Sequence, residues 1–323
     1  MELRFYFMVL IIGLALLLKA AGTLVDSSSR IARYLGISPL IIGLTIVSMG
    51  TSAPELSVSV IAAIKGSGNL SLGNIIGSNI ANICLVLGLA ALITPILVER
   101  TTLIIDAPFM LGSSLLLFFL LFFYKPYVLT RLAGIILLFF FFMFMVYTAI
   151  LSLKQRRTTR LFREFEKEFK MKKKSFLMHC IFIVLSIIGV VLGAELTVDS
   201  SILIAEHLGI NEAIISLSII AIGTSLPELV TSVVAALKKE GNIALGNVIG
   251  SCVFNTLMIV GISALTRPLQ IVPRLIVDTA IMLIISTIFL LFILHRLRLS
   301  RVEGTLLFVI YLMYMVYLVF ETF

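Results

Sequence analysis

One stretch of this 323-residue chain is written twice, at a constant offset of 173 residues and without a gap. Val25-Asp26-Ser27-Ser28 returns as Val198-Asp199-Ser200-Ser201, and Leu35-Gly36-Ile37 as Leu208-Gly209-Ile210. Gly50-Thr51-Ser52-Ala53-Pro54-Glu55-Leu56 returns as Gly223-Thr224-Ser225-Leu226-Pro227-Glu228-Leu229. Gly73-Asn74-Ile75-Ile76-Gly77-Ser78 returns as Gly246-Asn247-Val248-Ile249-Gly250-Ser251, and Asn82 as Asn255. A repeat this long means that each half builds the same unit and that the two units must fit each other.

The units are built for a bilayer. Hydrophobic residues make up 60% of the chain and charged residues 13%, about half the share a soluble domain carries. The apolar residues also come in runs near the length of a membrane span, such as Leu115 to Tyr124 and Gly134 to Leu151. Phe5 to Leu18 has the look of a signal-peptide core, but the same pattern returns in mid-chain at Phe176 to Gly193, so both read as spanning helices. Hydropathy places ten spans near 5–25, 38–64, 70–93, 102–124, 127–152, 176–198, 211–237, 243–265, 273–295 and 303–321.

Each half then holds five spans, an odd number, and the second half must enter the membrane from the opposite face. The expected fold is an all-α membrane protein of ten helices in two inverted five-helix repeats. Helices 2, 3, 7 and 8 are broken, because Gly, Pro, Ser, Asn and Glu interrupt their apolar runs. The first repeat covers 1–153, a basic loop 154–175 and the second repeat 176–323. Inverted repeats with broken helices at matching positions point to a transporter and to its binding site.

The loop sets the orientation. Lys154 to Lys174 carries ten Lys or Arg against Glu164, Glu166 and Glu168, and accounts for most of the formal charge of +8. The positive-inside rule puts it in the cytoplasm and both termini outside the cell membrane. Arg30, Arg33, Arg100, Lys238, Lys239, Arg296, Arg298 and Arg301 then also fall inside. Topology explains the basic residues, so nucleic-acid binding has no support.

Glu55 and Glu228 are the residues hardest to explain structurally. A carboxylate in mid-span costs about 3 kcal/mol on insertion scales and usually faces a partner or a pathway. No Lys, Arg or His lies in either motif. Pro54 and Pro227 precede the acids and lack a backbone donor, so carbonyls near Ser48 to Thr51 and near Ala221 to Thr224 are expected to be freed. In lipid such carbonyls need satisfying, either by a cation or by nearby Ser and Thr side chains. Ser78 with Asn82, and Ser251 with Asn255, are spaced i,i+4 and share a helix face; they serve helix packing or a bound ion. Two carboxylates, carbonyls, hydroxyls and amide oxygens make a hard, all-oxygen set that suits Ca2+, Na+ or Mg2+, and a flexible cage favours Ca2+. Two ionised glutamates carry −2, which one Ca2+, two Na+ or two protons cancel.

The paired Gly-Thr-Ser-x-Pro-Glu and Gly-Asn-x-Ile-Gly-Ser motifs resemble the alpha repeats of the Ca2+/cation antiporter superfamily, and its prokaryotic Na+/Ca2+ exchanger branch in particular. The resemblance covers nearly the whole chain. It implies that Glu55 and Glu228 ligate Ca2+, helped by the backbone oxygens of Thr51 and Thr224. It implies Na+ ligation by Ser48, Thr51 and Ser78 on one side and by Ala221, Thr224 and Ser251 on the other. Ser52 and Ser225 match further pocket residues, and Asn82 and Asn255 match the pair nearest the centre. Ile76 and Ile249 stand where the H+-coupled branch usually carries an acid. Asn255 stands where many Na+/Ca2+ exchangers and the K+-dependent ones carry Asp, which argues against K+ cotransport and leaves Na+ and H+ open as coupling ions.

The leading expectation is an antiporter exchanging Ca2+ for Na+, with Ca2+/H+ exchange on the same glutamates as the alternative. A passive cation channel needs no inverted repeat and usually forms its pore from several subunits. An intramembrane enzyme lacks a nucleophile and base at recognisable spacing, and no cofactor is called for. One chain carries both halves of the site, so a monomer is expected to function, with inorganic cations and the bilayer as its partners. Cys84, Cys180 and Cys252 lie in apolar runs without paired spacing and read as core residues. His179, His207 and His295 carry no motif. Asp26 and Asp199 read as helix caps, and Asp106 and Asp278, at nearly the repeat offset, have no role in this scheme.

Overall fold

The computed structural model describes residues 2–123, 127–163, 173–209 and 221–322. In chain order the elements are α1 (Glu2–Leu35), α2 (Pro39–Thr51), α3 (Ala53–Ile64), α4 (Gly68–Ile93), β1 (Ile96–Leu97) and α5 (Thr102–Phe123). There follow β2 (Val128–Leu129), α6 (Arg131–Arg163), α7 (Lys173–His207), α8 (Ala221–Gly223) and α9 (Leu226–Leu237). The chain ends with α10 (Gly241–Thr266), β3 (Leu269–Gln270), α11 (Arg274–Arg296), β4 (Arg298–Leu299) and α12 (Arg301–Thr322). Among the described residues eight helices are long and apolar enough to cross a bilayer, and α2 with α3, bent by 49°, makes a ninth. The expected seventh span, 211–237, is described only from Ala221; residues 211–220 lie outside the described residues, as do 164–172 of the basic loop.

Several helices outrun their apolar spans. The first and sixth spans, expected to end near 25 and 198, continue to Leu35 and His207. Glycine stops both helices: Gly36 and Gly209 take φ of +71° and +73°, the left-handed turn that closes a helix C-terminus without a Cβ clash. The N–H groups of Gly36 and Ile37 then turn back onto the carbonyl of Ala32, at 2.9 and 3.1 Å. Asp26 and Asp199 therefore sit inside helices and do not cap them. Asp26 meets the ammonium of Lys238 at 2.7 Å instead, and Lys238 also donates to the carbonyl of Gly22 at 2.7 Å. α2 has a true cap, the Ser38 hydroxyl accepting from Leu40 N–H at 3.2 Å, with Pro39 at the first helical position.

Nor is the fold wholly helical. β1 pairs antiparallel with β4 (Ile96 opposite Leu299), and β2 with β3 (Leu129 opposite Leu269). Each ribbon joins the first half of the chain to the second.

α4 and α10 form the centre, with 83% of the span buried in each, against 22–39% for α1, α5, α6, α7, α11 and α12. Outward side chains on the peripheral helices are apolar and exposed, among them Phe119, Phe139, Met313 and Phe320, as a lipid-facing surface requires. Small residues set the crossings. A Cβ on Gly193 of α7 would lie 2.6 Å from the backbone N of Leu17 on α1. α4 meets α12 where Gly88 faces Gly304, and α6 meets α10 where Gly134 faces Gly261, glycine against backbone in both places.

Candidate cation site

The two glutamates lie where a helix stops and restarts. Ser52 leaves helical geometry at ψ 14° and Ser225 at ψ 5°. α3 and α9 begin at the next residue, with Pro54 and Pro227 in their first turns. Proline is tolerated there because the first helical N–H groups have no partner to lose. Both prolines thus open helices, at the interruptions expected in the second and seventh spans. Backbone bonds bridge the first break from Ser52 N to Ser48 O at 3.0 Å and from Leu56 N to Ser52 O at 3.1 Å. Pro54, four residues after Gly50, has no N–H to offer its carbonyl. Glu55 and Glu228 stand in the first turns of their helices, where the positive end of the helix dipole favours a carboxylate.

The third and eighth spans, expected to be broken, are continuous as α4 and α10. Each accommodates its polar residues through one π-helical turn, Asn82–Val86 in α4 and Phe254–Ile259 in α10. Such turns collect at functional positions. α10 lies close enough to α2 that a Cβ on Gly250 would meet Leu44 O and Ser48 Oγ, both at 2.6 Å.

Hydrogen bonds weave the two motifs together across the halves. The Ser52 hydroxyl donates to Glu228 Oε1 at 2.7 Å, and its oxygen lies 3.0 Å from Ser251 Oγ. Ser251 Oγ also reaches Glu228 Oε1 at 3.4 Å. Reciprocally, the Ser225 hydroxyl donates to Glu55 Oε1 at 3.5 Å. Thr51 Oγ1 donates to Asn247 Oδ1 at 3.1 Å, and Thr224 Oγ1 to Asn74 Oδ1 at 3.4 Å, with Ser78 Oγ beside Thr224 at 3.4 Å. Ser48 keeps to its own helix, donating to Leu44 O at 3.0 Å, while its carbonyl accepts from Ser52 N–H. Ala221 contributes a backbone position in α8.

Most of this is inside, with Asn74 and Thr224 half-buried. Glu55, Glu228, Ser48, Thr51, Ser52, Ser225, Ser251, Asn82 and Asn255 have no solvent-exposed surface, and Ser78 has 4%. Yet Glu55 Oε2, Glu228 Oε2, both amide atoms of Asn82 and Asn255 Oδ1 have no hydrogen-bond partner among the described residues. Buried acceptors left in this state are costly, carboxylate oxygens most of all. Among the described residues no three His, Cys, Asp or Glu side chains gather, so negative charge here comes from two carboxylates and the remaining donors are neutral oxygens. That set matches a hard cation in chemistry and charge.

Three asparagines have a larger part than the sequence suggested. Asn74 and Asn247 belong to the repeated Gly-Asn motif, and each ties a threonine of the opposite half to a serine of its own, Ser59 at 3.0 Å and Ser232 at 3.1 Å. The repeat itself was the signal for them. Asn79 gave none, since its counterpart is Cys252. It donates to Thr256 Oγ1 at 2.7 Å and accepts from Asn255 Nδ2 at 3.2 Å, joining α4 to α10 beside the central pair.

Comparison with known proteins agrees with this geometry. The family described as sodium/calcium exchanger protein matches residues 5–150 and 178–320. The sodium/calcium exchanger MaX1 of Methanosarcina acetivorans is 40% identical over 332 aligned positions, covering 93% of this chain and 95% of its own. The inner membrane protein YrbG of Escherichia coli K12 is 36% identical over 283, covering 87% and 86%. A solved structure of the sodium-calcium exchanger NCX_Mj superposes with a TM-score of 0.80 at 31% identity, over 98% of each chain. These matches span both halves and the motifs that carry the buried glutamates: the chain is a multi-pass membrane protein and a member of the sodium/calcium exchanger family, which are transporters and not enzymes.

Proposed function

We propose that this chain is a secondary antiporter exchanging Ca2+ for Na+ across the cell membrane by alternating access, with Glu55 and Glu228 as the charged ligands. The observation that carries the reading is the pair of fully buried glutamates, each held through one oxygen by a serine of the opposite half and leaving the other oxygen unbonded. Ca2+ takes those free oxygens, with Asn82 and Asn255 and the carbonyls of Thr51 and Thr224 completing the shell. Na+ ions take overlapping positions built from Ser48, Thr51 and Ser78 and from Ala221, Thr224 and Ser251. Ser52 and Ser225 orient the carboxylates.

Electrostatics makes the exchange obligatory. The site carries −2 when both glutamates are ionised, and moving an uncompensated charge through hydrocarbon is costly. One Ca2+ or two Na+ removes that cost, so the loaded forms switch and the empty form stays. Ten helices in two inverted repeats supply two equivalent states, and matching breaks at Ser52 and Ser225 support that arrangement. The basic segment 154–175 lies in the cytoplasm and both termini outside.

The test is Ca2+ uptake into reconstituted vesicles, driven either by an outward Na+ gradient or by a pH gradient. Uptake driven by Na+ alone is expected, and Glu55→Gln should reduce it at least a hundredfold. Uptake driven by pH alone would replace this reading with Ca2+/H+ exchange on the same glutamates, and full transport by Glu55→Gln would remove that residue from the site.

A further inference from the structure

Buried oxygens without a hydrogen-bond partner concentrate in two places. One is the site around Glu55 and Glu228. The other lies where β1 leads into α5 and comprises both carboxyl oxygens of Asp106 and the hydroxyls of Thr101, Thr102 and Tyr147. Asp106 and Thr102 have no exposed surface, and the two are one turn apart on α5.

Tyr147, on α6, lies within electrostatic reach of Asp106. The rings of Phe109 and Phe144 stack at 4.8 Å, and Asp106 and Tyr147 each lie about one turn from that stack. Consecutive helices joined by a short connection run antiparallel, so both turns lead toward the same end. The backbone adds a further sign. Thr102–Asp106 is a π-helical turn. The three other such turns among the described residues, Gly43–Val47, Asn82–Val86 and Phe254–Ile259, all adjoin or contain residues of the central site.

The second half of the chain supplies a contrast. Asp278 on α11 has Arg274 one turn before it, with their charged groups 3.8 Å apart. In the first half the residue one turn before Asp106 is Thr102, and among the described residues no ion pair to Asp106 forms. Glu99, close to the start of α5, already accepts from Ser38 Oγ at 2.5 Å and from Asn242 Nδ2 at 3.0 Å.

A proton on Asp106 would neutralise it and supply one donor, leaving the remaining oxygens much as they are. A small cation neutralises the carboxylate and draws in several oxygens at once. One carboxylate with neutral hydroxyls balances a single positive charge; a divalent ion would leave an excess in a buried place. We propose that Asp106, Thr101, Thr102 and Tyr147 form a second cation site for one Na+, separate from the exchange site and anchored on the first half alone.

The experiment is independent of transport. The Glu55→Gln/Glu228→Gln protein, which lacks the central charges, is titrated with NaCl against choline chloride at matched ionic strength, and its thermal unfolding midpoint is followed. A ligand that binds only the folded state raises that midpoint. The midpoint should rise with Na+, Thr102→Val should shift the half-effect to about tenfold higher Na+, and Asp106→Asn should abolish the rise. No rise, or a rise that survives Asp106→Asn, overturns the proposal. Should the double variant fail to fold, equilibrium dialysis with radioactive Na+ on the otherwise unaltered protein replaces it. Asp106→Asn should then lower the bound Na+ by one per chain, and unchanged stoichiometry overturns the proposal.

Discussion

Ser52 and Ser225 occupy equivalent places in the two motifs but hold their glutamates unequally, at 2.7 Å for Ser52 on Glu228 and 3.5 Å for Ser225 on Glu55. A hydrogen bond to a charged group contributes about 1.5–3 kcal/mol, and 3.5 Å is at the weak limit of such a bond. Ser52→Ala should therefore raise the Ca2+ concentration for half-maximal uptake by about tenfold, and Ser225→Ala by clearly less; equal effects would show that the difference in bond length does not govern binding. The repeat made these residues legible, because coincidence does not write Ser-x-Pro-Glu twice at one spacing. It could not show which oxygen of each acid is taken, since that depends on how the halves meet. Asn79 and Thr256 were invisible for a related reason: their counterparts, Cys252 and Ile83, are different residues, so the pair has no echo in sequence.

Helix ends and crossings obey rules that hydropathy does not see. A span is recognised by its apolar run, but α1 and α7 continue through polar residues until glycine ends them, and Asp26 and Asp199 were read as caps because the apolar run stops near them. The ribbons escaped notice because strands of two residues have no alternation to display. Crossings were more legible: Gly73 to Ser78 and its mate are small residues in an apolar setting, and the tightest approach falls in that mate, where Gly246 of α10 meets the Leu40 carbonyl of α2, with Gly193 against Leu17 as a further close crossing. Gly193→Val puts branched carbons against that backbone and should cost about 1–3 kcal/mol, as overpacking does. The expected result is a thermal midpoint several degrees lower with Ca2+ affinity in the surviving protein unchanged. A large loss of affinity at unaltered stability would mean that the α1–α7 contact shapes the site.

At the scale of the molecule, the offset of 173 residues marked two related halves, and the structure adds how completely they depend on each other. Bonds that hold Glu55, Glu228, Thr51 and Thr224 in place run from one half to the other, and so do both ribbons. Protein made as two pieces cut within 164–172 should therefore transport Ca2+ when the pieces are co-expressed and not when either is made alone, as uptake into vesicles will show. Biosynthesis inherits the same dependence. While the ribosome is still making the first half, Glu55 is in the membrane without Ser225, Asn74 without Thr224, and β1 without β4. The nascent chain must keep an unaccompanied acid in lipid until its second half emerges, and that interval is when insertion factors and membrane proteases have their opportunity to act on it.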